Sequence, residues 1–144
     1  MIRKIFSSPI RRHFSHIFIA IIFAKTIKGD ANRMEKEIVS FSRGGATLTA
    51  RISCEIDHHT AGRLRSRIDR ALFDERPKAL LLDFSDVRFM DSSGIALILG
   101  RVECAEAVGA RVHLDGLSPT LFKLVRLSGI EKIRNLTVTP EVRS

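Results

Sequence analysis

A pair of serines at the start of a predicted helix is the part of this sequence best suited to chemistry. The run MDSSG at residues 90–94 places a carboxylate and two hydroxyls where an apolar strand pattern ends and apolar residues return at helical spacing. Backbone N–H groups in the first turn of a helix are unpaired, and the helix dipole is positive there. Helix capping explains one polar residue, but it does not explain three in succession followed by a glycine, so we expect a functional site.

Nucleophilic catalysis is one use of such serines, and the rest of the sequence does not support it. Ser92 or Ser93 would need a positioned base, and the candidates His58, His59 and His113 cannot be placed within hydrogen-bond reach from sequence. The chain has no GxSxG elbow, phosphate-binding loop, HExxH motif or paired-cysteine zinc spacing. Adjacent histidines point in different directions, so His58 and His59 form a poor metal site. We therefore predict no catalytic residues, metal or cofactor.

Phosphorylation is the second use of a serine at a helix start. A phosphoryl group would add about −1.5 to −2 charge next to Asp91, partly offset by the helix dipole. That charge would repel an acidic or close-packed partner surface, so the modification would switch binding off.

Alternating strand and helix patterns position this corner in the order β-β-α-β-α-β-α-β. Strands are predicted at residues 37–42, 46–53, 79–84, 111–114 and 133–138, and three helices fill the intervals after residue 57. Gly44 and Gly45 predict a hairpin between the first two strands, while the later crossovers predict parallel pairing. The expected fold class is α/β: a mixed sheet of four or five strands with helices packed on it.

The helical segments predict specific buried faces. In the first helix the apolar stripe is expected to contain Leu64, Ile68, Ala71 and Leu72, while Arg63, Arg67 and Arg70 share another face. This arginine row is either a solvated face or a docking surface for an acidic partner. In the third helix, which Ser118 opens and Gly129 closes, the residues expected in the core are Leu121, Leu124, Val125 and Leu127.

The positive charge of the chain is concentrated at its N-terminus. The net charge is +8, yet residues 1–33 carry seven Lys or Arg against one acidic residue, so the remainder is nearly balanced. We therefore expect no direct nucleic-acid binding. The apolar run at residues 17–24 is shorter than the roughly 20 residues that span a bilayer. Residues 1–33 are expected to be a poorly ordered extension, with a surface-lying membrane peptide and a secretory signal as alternatives.

The two cysteines, Cys54 and Cys104, lack CxxC or ligand-spaced partners. They are predicted to be reduced core residues of a cytoplasmic protein.

Several of these motifs together resemble one protein family. DHHT at 57–60, LLDF at 81–84, FMDSSGI at 89–95 and ILGR at 98–101 are similar to STAS domains, specifically bacterial anti-sigma factor antagonists of the sporulation stage II type. The resemblance covers about residues 37–138 and implies a single STAS domain over residues 34–144. Two departures are that Cys54 stands where the family usually has glycine, and that Ser144 precedes the point where the family's final helix would be expected.

The resemblance implies a regulator without enzymatic activity. Its unphosphorylated form would bind an anti-sigma factor that is itself a serine kinase, which frees the sigma factor. The kinase would phosphorylate Ser93 with ATP as donor, and a serine phosphatase would reset the switch. The motif is shared by antagonists that act in sporulation and by antagonists that act in the general stress response. The implied partner-facing surface consists of Asp57, His58, His59, Thr60, Asp91, Ser92 and Gly94. The alternative is a membrane-associated STAS module anchored by residues 1–33.

Overall fold

Five strands alternate with three helices in the computed structural model, which describes residues 37–140. The strands are β1 (Val39–Gly44), β2 (Thr47–Ile52), β3 (Ala79–Asp83), β4 (Arg111–Asp115) and β5 (Leu136–Val138). The helices are α1 (His58–Glu75), α2 (Ser92–Ala107) and α3 (Pro119–Ser128), followed by a 3-10 turn, Ile130–Lys132. The predicted element order is confirmed, and the predictions for residues 1–33 and for a final helix lie outside the described residues.

The strands form one mixed sheet in the order β1-β2-β3-β4-β5. β1 and β2 are antiparallel, and the hairpin closes with Gly44 opposite Thr47, while Gly45 takes the positive φ of +59° that such a tight turn requires. The remaining pairs, β2-β3, β3-β4 and β4-β5, are parallel. Because α1, α2 and α3 each follow a parallel strand, all three helices begin at the same edge of the sheet.

The core lies between one face of the sheet and the helices. Alternate residues along β2, β3 and β4 are almost completely buried, as the predicted strand pattern requires. From the sheet these are Leu48, Ala50, Ile52, Leu80, Leu82, Val112 and Leu114. They are joined by the predicted Leu64, Ile68 and Leu72 of α1 and by Leu97 and Ile98 of α2. Complete burial of a side chain of this size contributes about 1.5–3 kcal/mol, so these positions define the fold.

A buried ion pair, which we did not predict from the sequence, joins α1 to α2. Arg101 Nε lies 2.6 Å from Asp69 Oδ1, and the two side chains are 3% and 0% exposed. The two opposite charges are therefore in direct contact and shielded from solvent. Burial raises the pKa of the Asp69 carboxyl, and the attraction of Arg101 opposes this shift.

The two cysteines of the described region are free thiols, as predicted, but only Cys104 belongs to the core. Arg101 Nη2 lies 3.9 Å from Cys104 Sγ, next to the ion pair. Burial, together with the nearby Asp69 carboxylate, raises the pKa of the Cys104 thiol to about 11, which keeps it protonated and unreactive.

Two predictions about the C-terminal part were wrong. β5 begins at Leu136 rather than at residue 133, because the chain turns through Gly129 (φ 77°) and a 3-10 turn before it can rejoin the sheet. Leu127 is 77% exposed instead of buried. The buried side of α3 is defined by Leu121 and Val125, and Leu127 lies too far around the helix to share it.

The ion pair predicts an asymmetric response to mutation. Asp69→Ala should lower the free energy of unfolding by about 3–5 kcal/mol, because it leaves the Arg101 charge buried without a partner. Urea denaturation of the full chain measures the change. The double variant Asp69→Leu/Arg101→Met should recover most of the loss, since it removes both charges and fills the space.

The control for this prediction lies on the same helix. Arg70 and Asp74 form an exposed pair at 3.7 Å, so Asp74→Ala should have little effect. Equal losses for Asp69→Ala and Asp74→Ala would contradict the role assigned to the buried pair.

Candidate functional site

The N-termini of α1 and α2 are joined by a short piece of backbone pairing. Ile56 and Met90 form an isolated parallel bridge outside the five strands. The Ile56 N–H donates to the Phe89 carbonyl at 3.0 Å, and the Asp91 N–H donates to the Ile56 carbonyl at 3.1 Å. Asp57 and Asp91 each follow this bridge directly, so the caps of the two helices are neighbours. The structure therefore brings together both segments that the sequence assigned to the partner-facing surface.

The α1 cap is a reciprocal arrangement known as a capping box. Asp57 Oδ1 accepts hydrogen bonds from the N–H groups of His59 (2.8 Å) and Thr60 (2.9 Å). In return, the Thr60 hydroxyl accepts from the Asp57 N–H at 3.0 Å and donates to the Glu55 carbonyl at 2.7 Å. These bonds, above all that from the Thr60 N–H, lower the pKa of the Asp57 carboxyl. Asp57 and Thr60 thus hold the loop, while His58 and His59 point outward and are exposed.

The α2 cap places Ser92 and Ser93 in different environments. Asp91 Oδ1 accepts from the Ser93 N–H at 2.7 Å, so Asp91 is the N-cap residue and Ser92 is the first residue of the helix. Ser92 is exposed, whereas Ser93 is only half-buried and Gly94 is fully buried. The Ser92 hydroxyl is therefore the more accessible of the two.

Gly94 is required because of a close approach rather than a special backbone conformation. A Cβ atom at this position would overlap the Cγ and Sδ atoms of Met90 and would lie 3.4 Å from Ile56 Cγ2. Met90 is 5% exposed and Ile56 is fully buried, so an added methyl group would have to displace a side chain packed in the core. The missing side chain lets α2 begin directly against the bridge that joins the two helix caps.

Cys54, the departure from the family pattern, does not disturb the loop before Asp57. Within residues 37–140 Arg76 is the only non-glycine residue with a positive φ, so the backbone at Cys54 is one that any residue can adopt. Burial raises the pKa of the Cys54 thiol, which keeps it protonated.

The described region contains no serine–histidine pair. His113 lies in β4, where its Nε2 is 2.6 Å from Thr139 Oγ1. Neither His58 nor His59 hydrogen-bonds to Ser92 or Ser93 within residues 37–140, although both lie at the same edge of the sheet. Over the same span, no group of three or more His, Cys, Asp or Glu residues could hold a metal ion. Within residues 37–140, therefore, no histidine is hydrogen-bonded to Ser92 or Ser93 as the base of a nucleophilic serine would be.

Sequence reasoning missed one feature of this corner. Phe89, two residues before the N-cap, is 51% exposed although it is a large apolar residue. Its place just before the MDSSG run was visible in the sequence, but nothing in the pattern shows which way the side chain points.

Comparison with known proteins places this chain in a family. The STAS domain profile matches residues 41–143, and the chain belongs to the STAS domain family. It is 37% identical over 84 residues to the anti-sigma F factor antagonist of Lysinibacillus sphaericus, an alignment that covers 58% of this chain and 72% of the relative. The anti-sigma F factor antagonist of Paenibacillus polymyxa is 34% identical over 86 residues, which covers 60% of this chain and 74% of the relative.

Solved structures agree with this assignment. The unphosphorylated anti-sigma factor antagonist SpoIIAA superposes with a TM-score of 0.59 at 32% identity, covering 72% of this chain and 89% of that structure. The phosphorylated form of SpoIIAA from Bacillus gives a TM-score of 0.54 at 32% identity, covering 72% and 92%. The resemblance and the fold class predicted from the sequence are confirmed. No helix in residues 37–140 has the length and hydropathy needed to cross a bilayer.

The close packing at Gly94 predicts opposite effects at two glycines of α2. Gly94→Ala should destabilise the protein by about 1–3 kcal/mol, because the added methyl group forces the buried Met90 side chain to move. Gly100→Ala should be stabilising by up to about 1 kcal/mol, because nothing lies within 4 Å of its new Cβ and alanine favours the helix. Thermal and urea unfolding measure both; a Gly94→Ala protein as stable as Gly100→Ala would contradict the close approach.

Proposed function

We propose that this protein is an anti-sigma factor antagonist whose unphosphorylated form binds an anti-sigma factor and frees a sigma factor, and whose activity is switched off by phosphorylation of Ser93. The observation that carries the proposal is the pair of serines in the first turn of α2, beside the capped start of α1. The relatives named as anti-sigma F factor antagonists support the function, and the solved phosphorylated form of SpoIIAA supports the modification.

The two serines are not equivalent as acceptors. The family resemblance names Ser93, whose backbone N–H is bonded to Asp91 and whose side chain is half-buried. Ser92 is exposed and adjoins Ser93, so it belongs to the surface that the kinase would cover. Ser93 is therefore the proposed acceptor, and Ser92 is part of the proposed docking surface.

A phosphoryl group at this position acts on the surface more than on the fold. It would bring about −1.5 to −2 charge next to the Asp91 carboxylate, and the unpaired amides of the helix N-terminus would stabilise part of that charge. Asp57, Thr60 and Asp91 remain engaged in their caps. The new charge therefore changes what a partner meets, and a surface that fits the unmodified serines no longer fits.

In this proposal the phosphorylating and dephosphorylating activities belong to partner proteins. We propose that the anti-sigma factor is a serine kinase that uses ATP, and that a serine phosphatase restores the unmodified form. The antagonist supplies the hydroxyl and the docking surface, which includes His58, His59 and Gly94 near the serines. In this proposal it works in the cytoplasm and makes no direct contact with DNA.

Phosphate transfer tests the acceptor. Incubation with the cognate anti-sigma factor and ATP should add one phosphate, located by mass spectrometry. The family resemblance predicts that Ser93→Ala abolishes labelling while Ser92→Ala keeps it; undiminished labelling of Ser93→Ala would contradict the assignment. Ser66→Ala, at another exposed serine on α1, serves as the control and should label like the wild type. Full labelling of both Ser92→Ala and Ser93→Ala would contradict the site.

The affinity for the anti-sigma factor tests whether phosphorylation controls binding. The phosphorylated protein should bind the anti-sigma factor at least about tenfold more weakly than the unmodified protein, a difference of about 1.4 kcal/mol, while its melting temperature changes little. Calorimetric titration of both forms measures the difference. Equal affinities would show that the phosphate does not control binding.

A further inference from the structure

A groove along α3 combines exposed apolar surface with positive charge. Its two large apolar side chains are Phe122 and Leu127, and Leu127 is 77% exposed. The members on α3 are spaced at i, i+3, i+4, i+7 and i+8, so they lie along one side of the helix, away from the buried Leu121 and Val125. The full lining of this α3 groove is Pro119, Phe122, Lys123, Arg126, Leu127, Glu131 and Lys132.

The charges of the α3 groove are only partly balanced within the molecule. Arg126 Nε lies 3.7 Å from Glu131 Oε1, and the Arg126 guanidinium is 6.0 Å from the centre of the Phe122 ring. Glu131 therefore offsets one of three cations, which leaves the lining with a net charge of +2. Lys123 and Lys132 are exposed and have no ion-pair partner within residues 37–140. An occupant that fits this groove carries an apolar side chain and two carboxylates.

The second half of α2 presents that combination. Leu99, Glu103 and Glu106 are spaced at i, i+4 and i+7, so they lie along one line of the helix, and all three are exposed. Neither carboxylate has an ion-pair partner in the part of the chain that the structure describes. Arg101, the other charged residue of α2, is buried against Asp69, so the exposed charge of this helix is −2. These three exposed residues form the acidic line of α2.

We propose that this protein associates with a second copy of itself, with the acidic line of α2 in one molecule seated in the α3 groove of the next. A net charge of −2 then meets a net charge of +2, and Leu99 meets the apolar surface of Phe122 and Leu127. Carboxylates that are paired in this way avoid the cost of burying an unpaired charge. The contact is heterologous, because it uses a different surface on each molecule.

The contact is separate from the serine corner and is weak. Glu103 lies about 16 Å along α2 from Ser92, at 1.5 Å per residue, so the proposed phosphorylation site takes no part in the contact. One side of a helix in a groove buries less surface than the roughly 1,200–2,000 Å² of a stable interface. Self-association is therefore expected at high protein concentration.

Charge reversal on either side tests the contact. Sedimentation equilibrium of the full chain, at up to about 1 mM so that a dissociation constant in this range is detected, should show an average mass that rises with concentration. The double variants Glu103→Lys/Glu106→Lys and Lys123→Glu/Lys132→Glu should each remain monomeric. An equal mixture of the two should associate again, because each variant keeps one native surface and the two reversed surfaces attract each other.

The net charge of the chain supplies a built-in control. The wild type carries +8, which the first double variant raises and the second lowers. General repulsion between molecules would therefore change in opposite directions, whereas loss of a specific contact affects both variants alike. Lys78→Glu, at an exposed lysine outside both surfaces, should associate like the wild type.

A second pair of variants tests the apolar part of the contact. Leu99→Gln and Leu127→Gln each remove one exposed leucine, and each should weaken self-association at least tenfold. Circular dichroism melts verify that all variants are folded, as expected for substitutions at exposed positions.

Three results would each overturn the proposal. The first is a wild type that stays monomeric at about 1 mM. The second is a pair of double variants whose association changes in opposite directions or stays at the wild-type level. The third is a mixture of the two double variants that does not associate.

Discussion

The pairing of Ile56 with Met90 is the interaction on which the whole site depends. It lies outside the regular sheet and consists of two backbone hydrogen bonds, yet it sets the separation of the two helix caps. Asp57 and Asp91 follow it immediately, so each helix starts from a point that is fixed relative to the other. Gly94 makes the arrangement possible, because a side chain at this position would overlap Met90. A surface that must fit a partner closely benefits from this rigidity.

The same two helices are joined again further along, by the buried ion pair between Asp69 and Arg101. The Ile56–Met90 bridge and the ion pair lie at different points along the helices. Together they restrict both sliding and rotation of α1 against α2. The charged groups gain little net stability from each other, since burial costs nearly as much as the attraction returns. The ion pair instead fixes the register of α1 against α2, because only one alignment of the helices brings the two charges together.

Capping also determines which polar residues of the corner remain available to a partner. Asp57, Thr60 and Asp91 carry the polar atoms expected of a functional site, but Asp57 Oδ1, Asp91 Oδ1 and the Thr60 hydroxyl already accept hydrogen bonds within the two caps. The side chains of this corner that are not used in the caps are those of Ser92, Ser93 and the exposed His58 and His59.

The order of elements, the hairpin, the parallel strands, the α2 cap and the serine corner could all be predicted from the sequence. These features depend on local chemistry: alternation along strands, helical spacing of apolar residues, and short polar side chains at helix starts. The burial of Asp69 and Arg101, the exposure of Leu127 and Phe89, and the difference between Ser92 and Ser93 were decided by the tertiary structure. Each of these depends on which neighbouring element covers a side chain. Sequence spacing defines the direction of a side chain on its own helix, but only packing decides whether that direction meets solvent, a sheet or an opposite charge.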